Sequence, residues 1–166
     1  MCRSLKALLI AAVAVVSSAA CAHGDEHAGP RPRFEQSKVQ ETAFGREGDP
    51  KKVSRSIHVD MADSMRFTPA DITVRRGQTV RFVIRNQGRQ MHEMVLGTSS
   101  ALQEHAALMK KFPDMEHDEP GKVTLQPGKQ GEIVWQFTKA GGVNFACLMP
   151  GHYEAGMKGT VQVGKK

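Results

Sequence analysis

From residue 53 onward, short runs of alternating apolar and polar residues are separated by turn residues. In 80–84 and 133–137 a large apolar residue occupies every second position. A period of two predicts β-strands that bury one face. By this criterion and the flanking turn residues, strands are predicted for eight segments: 56–59, 71–75, 80–86, 93–96, 122–125, 132–137, 143–146 and 160–163.

One segment, residues 100–112, breaks this period. It carries side chains at helical spacing, namely Leu102, His105, Met109 and Phe112. Ser100 and Gln103 form a capping-box pattern at its start, and Pro113 follows its end. The chain is therefore predicted to be all-β, an antiparallel β-sandwich with one inserted helix over residues 53–166.

Residues 1–22 have a different pattern. Arg3 and Lys6 precede an apolar run over 7–16 that is too short to span a bilayer, and small residues follow up to Ala22. This pattern predicts a secretory signal peptide and a periplasmic location. The alternative is lipid anchoring at Cys21, because residues 18–21 resemble a lipoprotein box, although the usual Leu is missing.

Residues 23–52 are rich in Gly, Pro and charge, and they predict a flexible leader. Removal of the signal peptide takes away Arg3 and Lys6 and lowers the net charge from +6 to +4. The remaining positive charge is spread along the chain and does not form a nucleic-acid footprint. We therefore expect a monomer with no nucleic-acid partner and no membrane-spanning segment.

Cysteine usage gives the first chemical signal. Cys2 and Cys21 fall in the signal peptide, so only Cys147 remains in the mature domain. Exported proteins usually pair their cysteines. A single remaining cysteine is therefore either a buried, inert residue or a thiolate that binds a metal.

The segment 147–157 reads CLMPGHYEAGM and places Cys147, His152 and Met157 in one loop between the last two predicted strands. A soft thiolate, imidazoles and a weak thioether form a trigonal site suited to copper. Zinc sites use more Cys or His and rarely a thioether. The second imidazole must come from elsewhere. His92 fits best, since it follows a turn and opens strand 93–96; the other candidates in the domain are His58, His105 and His117.

Three segments resemble the cupredoxins, the family of plastocyanin, azurin and rusticyanin. They are MRFTPADITVRRGQTVRFVIRN, MHEMVLG and CLMPGHYEAGMKGTVQV, and the resemblance covers about residues 53–166. It implies a Greek-key β-sandwich with one type 1 copper held by His92, Cys147, His152 and Met157. The additional methionines are most similar to those of periplasmic copper-tolerance cupredoxins of the CopI type.

The sequence departs from the family pattern in two places. Many cupredoxins have Asn or Ser after the first histidine, where it hydrogen-bonds near the sulfur, but this chain has Glu93. The helical insertion, residues 99–119, lies outside the minimal fold. It carries two His/Met pairs, His105 with Met109 and Met115 with His117, which predict additional Cu(I) binding; the alternative is that these methionines pack the interior.

These observations predict a copper-tolerance protein. The alternative is a periplasmic electron carrier that uses the same copper site. In either case a redox or copper-handling partner would dock near His152, beside an apolar patch formed by Met149, Pro150, Ala155 and Gly156. We do not expect an enzyme, because the chain has neither the His-x-His pairs of multicopper oxidases nor a Cys-x-x-Cys motif.

Overall fold

The computed structural model describes residues 34–112 and 119–165. This part of the chain contains ten strands: β1 (Arg46–Glu47), β2 (Arg55–Ala62), β3 (Arg66–Thr68), β4 (Asp71–Arg75), β5 (Thr79–Asn86), β6 (His92–Gly97), β7 (Lys122–Leu125), β8 (Gln130–Gln136), β9 (Gly141–Ala146) and β10 (Lys158–Gly164). One α-helix, α1 (Ser99–Lys111), lies between β6 and β7. All eight predicted strands are confirmed; the short strands β1 and β3 were not predicted.

The strands form two five-stranded sheets, in the orders β1-β8-β5-β2-β3 and β4-β10-β9-β6-β7. The predicted β-sandwich is confirmed, and most neighbouring strands are antiparallel. Each sheet also contains one parallel pair, β2 with β5 and β4 with β10. The first pair arises because the chain crosses to the other sheet in β4 and then returns as β5, in the same direction as β2.

Large apolar side chains from both sheets fill the space between them. The largest are aromatic, and all are almost fully buried: Phe82, Trp135, Phe137 and Phe145. Burial of each such side chain contributes about 1.5–3 kcal/mol. The alternation seen in 133–137 is therefore the inward-facing register of β8, where Ile133 and Trp135 are buried and Val134 between them is only partly buried.

The second half of the predicted flexible leader, 23–52, contacts the sandwich. β1 pairs with β8, so that Arg46 lies opposite Gln136. Phe44 stacks on Trp135 with a centroid distance of 5.2 Å, and Nε1 of Trp135 donates a hydrogen bond to the Phe44 carbonyl at 3.3 Å. The apolar contact and the strand pairing hold this segment against the sandwich. Residues 23–33, like the predicted signal peptide, lie outside the described residues.

The predicted helix is confirmed, but its predicted cap is wrong. Thr98, not Ser100, is the last residue with extended backbone, and its Oγ1 accepts a hydrogen bond from the Ala101 N–H at 3.2 Å. One face of α1 packs in a satellite apolar cluster made up of Val95, Leu102, Ala106, Met109, Ala146 and Leu148. Among the described residues, no helix has the length and apolar character needed to cross a membrane.

Candidate metal centre

The structure brings three of the four predicted ligand side chains into one cluster. His92 opens β6, Cys147 directly follows β9, and β6 and β9 are neighbours in the second sheet. His152 lies in the loop that follows. Its Nδ1 is 3.2 Å from Nδ1 of His92 and 3.3 Å from Sγ of Cys147. All three potential ligand atoms lie within 4.8 Å of one another.

The other candidate histidines lie elsewhere. His58 is an exposed residue of β2, and His105 is on α1. Nδ1 of His105 lies 3.6 Å from Oε1 of Glu119. His117 is outside the described residues. Of these four distant candidates, His92 is therefore the one whose side chain the structure places beside Cys147 and His152.

Backbone hydrogen bonds fold the loop from Cys147 to Met157 back on itself. The Met157 carbonyl accepts from the Cys147 N–H at 3.1 Å, and the Met157 N–H donates to the His152 carbonyl at 3.0 Å. Gly151 and Gly156 take positive φ angles of 86° and 91°, which glycine adopts without strain. The Met157 side chain is fully buried in the same apolar core as Cys147. The loop thus holds Met157 beside the cluster.

Burial sets the electrostatics of the cluster. Cys147 and His92 are fully buried, and His152 is only 9% exposed. Burial raises the pKa of the Cys147 thiol to about 11, although backbone N–H groups of Glu93 and Met149 partly oppose this. Burial, followed by the neighbouring His92, lowers the pKa of His152. Cys147 and His152 therefore favour their neutral forms without metal, and a bound cation would supply the charge that stabilises a thiolate here.

Glu93 directly follows His92, at the position where many cupredoxins have Asn or Ser. Its backbone N–H points to Sγ of Cys147 at 3.4 Å. Its carboxylate, only 2% exposed, accepts hydrogen bonds from the Leu148 N–H at 3.1 Å and from Oγ1 of Thr124 at 3.2 Å, and lies 3.6 Å from Nζ of Lys122. Glu93 therefore ties β6 to β7 and to the residues around the thiol.

Asp63 is a residue of the site that sequence reasoning missed. It directly follows β2, and its Oδ1 lies 3.0 Å from Nε2 of His92. Backbone N–H donation from Arg89, and then the hydrogen bond with His92, lowers the pKa of Asp63. An aspartate after a strand is typical of a turn. No local pattern in the sequence indicates its contact with a histidine 29 positions away.

The methionines of the helical insertion, residues 99–119, were predicted either to bind additional Cu(I) or to pack the interior. Met109 is buried in the satellite cluster of α1, as its packing role predicts. Met115 and His117 lie outside the described residues. Around the exposed edge of His152, Pro150 and Ala155 are exposed, whereas Met149 and Gly156 are partly buried. Two of the four residues of the predicted apolar patch are thus exposed and two are partly buried.

Comparison with known proteins agrees with this geometry. The model of a family described as copper binding proteins, plastocyanin/azurin family, matches residues 53–164. The chain belongs to the plastocyanin/azurin family. This cupredoxin is 50% identical over 166 residues to the copper-resistant cuproprotein CopI of Rubrivivax gelatinosus, with 97% of this chain and 98% of that protein aligned. It is 37% identical to the CopI of Pseudomonas aeruginosa, over 73% of this chain and 82% of that protein.

Solved structures agree on the fold of this cupredoxin. Reduced auracyanin from Roseiflexus castenholzii superposes with a TM-score of 0.59 at 22% identity, over 68% of this chain and 98% of that chain. At this identity the likeness concerns the fold alone. The donor set fits the metal that the family binds, since a thiolate and two imidazoles are typical ligands of a copper site.

Proposed function

We propose that the protein is an exported, periplasmic copper-tolerance protein in which His92, Cys147, His152 and Met157 would hold one type 1 copper. The observation that carries this proposal is the convergence of Cys147 with two imidazoles in a buried cluster. The copper-resistance role is supported by the relatives named CopI, of which that of Rubrivivax gelatinosus aligns over 97% of this chain.

A copper ion in this site would cycle between Cu(I) and Cu(II), because the thiolate and thioether suit Cu(I) and the imidazoles suit both states. The protein's part is to hold the donors in place. His92 is fixed by β6, and Cys147 is fixed by the Glu93 N–H and by the Met157 carbonyl. Because these contacts hold the donors in place, the donors need to move little when a bound copper ion gains or loses an electron. Such an electron exchange requires no catalytic base. We therefore infer a binding and redox role and not an enzyme.

An electron carrier is the second candidate, since it would use the same copper site. His152 favours it in one respect, because this residue keeps 9% exposure and lies in the same loop as the exposed residues Pro150 and Ala155, where a redox partner can approach. The two candidates differ in phenotype. A strain without the gene should lose growth on copper if the protein confers tolerance, and Cys147→Ser should not restore it. Normal growth on copper together with slowed respiration would favour the carrier.

Export is part of the proposal and has its own test. Mass spectrometry of the protein purified from periplasm should give the mass of a chain that begins after the predicted signal peptide, residues 1–22. A lipid-modified Cys21 would instead support the alternative of membrane anchoring. A full-length mass from the cytoplasm would contradict export.

Additional Cu(I) binding by the insertion stays a prediction. Thioethers favour Cu(I), so extra equivalents should bind only under reducing conditions. The test is Cu(I) stoichiometry by competition with a chromogenic chelator, in wild type and in a variant with His105→Ala, Met109→Leu, Met115→Leu and His117→Ala. Leucine keeps the packing volume at Met109 and removes its sulfur. A stoichiometry above one that falls in the variant would support tolerance; one copper in both would favour the carrier.

A further inference from the structure

Asp63 is outside the predicted ligand set, yet it contacts one of its members. Nδ1 of His92 faces the cluster, 3.2 Å from Nδ1 of His152, whereas Nε2 lies 3.0 Å from Oδ1 of Asp63. An ionised carboxylate can only accept a hydrogen bond, so this contact requires the proton of His92 on Nε2. Nδ1 is then left with a lone pair that points into the cluster.

The Asp63 carboxylate is itself held in place. The backbone N–H groups of Arg89 and Gln90 donate to Oδ2 and Oδ1 at 2.8 and 3.3 Å. These two residues belong to the turn that leads into His92. Asp63 follows β2 in the first sheet, whereas His92 opens β6 in the second. The carboxylate therefore links the two sheets beside the cluster.

Gly88 makes room for this contact. A Cβ atom at residue 88 would overlap the Asp63 carboxylate and would lie 3.0 Å from Nε2 of His92. A larger residue here would push the carboxylate away from the imidazole. The turn before His92 is thus shaped around the hydrogen bond between Asp63 and His92.

We propose that Asp63 is a positioning residue for the copper: it fixes the His92 tautomer that offers Nδ1 to the metal and lowers the reduction potential of the site. This inference rests on the proposed function, because it requires copper at His92, Cys147 and His152. A hydrogen bond to a carboxylate makes a ligating imidazole a stronger donor. Cu(II) carries more charge than Cu(I) and gains more from that donation, so Asp63 favours the oxidised state.

The substitution Asp63→Asn removes the negative charge of this side chain. It keeps the length of the side chain and one oxygen that can accept a hydrogen bond from His92. We expect the copper charge-transfer band to remain, and the Cu(II) affinity to fall about tenfold relative to the Cu(I) affinity. For a one-electron couple this raises the reduction potential by about 59 mV. The matched control is Asp71→Asn, since Asp71 is exposed at the start of β4 and loses the same charge.

An Asp63→Asn potential equal to that of Asp71→Asn would overturn the proposal for Asp63. A wild-type protein without a charge-transfer band would instead overturn the proposed function, so the two failures can be told apart. Gly88→Ala keeps every charge and displaces the carboxylate, and it should raise the potential in the same direction. An unchanged potential in Gly88→Ala would also contradict the proposal.

One measurement needs no variant. Nitrogen NMR of the wild-type protein in its Cu(I) form distinguishes the two ring nitrogens of His92. We expect a protonated, slowly exchanging Nε2. A deprotonated Nε2 would overturn the tautomer assignment, and with it the role of Asp63, even if the variants failed to fold.

Discussion

Two regions of the molecule combine histidine with methionine, and the structure uses them differently. In the loop from Cys147 to Met157, His152 meets a thiol and a second imidazole inside a buried cluster. On α1, His105 and Met109 are four residues apart, but Met109 is buried among apolar side chains. Similar residue types at similar spacing thus belong to a cluster of potential metal ligands in one region, whereas in the other region Met109 is packed among apolar side chains.

The difference comes from what the backbone brings together. Strands β6 and β9 place donors from distant parts of the chain side by side, and hydrogen bonds close the loop on them. On a helix, side chains four apart share one face, and here that face covers the second sheet. The two regions also touch, because Ala146 and Leu148, which flank Cys147, pack in the satellite cluster of α1. The helix therefore packs against the residues on either side of Cys147, which belongs to the candidate metal cluster.

Single histidine substitutions give the largest expected contrast between the regions. His92→Ala removes one of the two imidazoles and should abolish the normal copper spectrum. His105→Ala removes a histidine from the helix and should leave that spectrum unchanged. Visible and electron paramagnetic resonance spectra of copper-loaded protein measure both. A normal spectrum from His92→Ala, or a lost one from His105→Ala, would reverse the comparison.

The two regions should also differ in how a substitution changes the free energy of unfolding. The loop is held by a hydrogen bond to the buried Glu93 carboxylate, whereas the helix is held by apolar contacts. Lys122 is 11% exposed and is the cation beside the Glu93 carboxylate. Lys122→Ala leaves that carboxylate buried without it and should lower the free energy of unfolding by about 3 kcal/mol. Met109→Leu keeps the packing volume on α1 and should cost less than about 1.5 kcal/mol.

Urea unfolding of the metal-free variants measures these costs. Lys38→Ala serves as the control for loss of a lysine, because its ion pair with Glu35 is exposed and should contribute less than about 1 kcal/mol. If Lys122→Ala were no more destabilising than Lys38→Ala, the buried pair would not hold the site.

An effect smaller than that of Lys122→Ala concerns the metal-free thiol. Burial raises the pKa of Cys147 from 9.0 to about 11, so the unfolded chain loses this proton at lower pH than the folded chain. Stability should therefore fall as pH rises from 9 towards 11, by about 2 kcal/mol relative to Cys147→Ser. Unfolding in urea at several pH values tests this. Parallel pH profiles of the two proteins would show that the thiol is not desolvated.

The sequence predicted the strands that alternate strongly, because a period of two directly reflects burial of one face. It did not predict β1 or β3, which are too short to show a period, or the packing of Phe44 on Trp135. The cluster's loop from Cys147 to Met157 was predictable because its potential donors lie within one short segment of the sequence. The contact of Asp63 with His92 was not, since it depends on how the two sheets meet.

In the proposed function, Cys147 binds copper as a thiolate together with His92 and His152. The most direct test is the visible spectrum of the purified mature protein after addition of Cu(II). We predict an intense thiolate-to-copper charge-transfer band that disappears in Cys147→Ser, while far-UV circular dichroism shows that the fold is kept. A band that survives Cys147→Ser, or a wild-type protein that binds Cu(II) without any such band, would contradict the account.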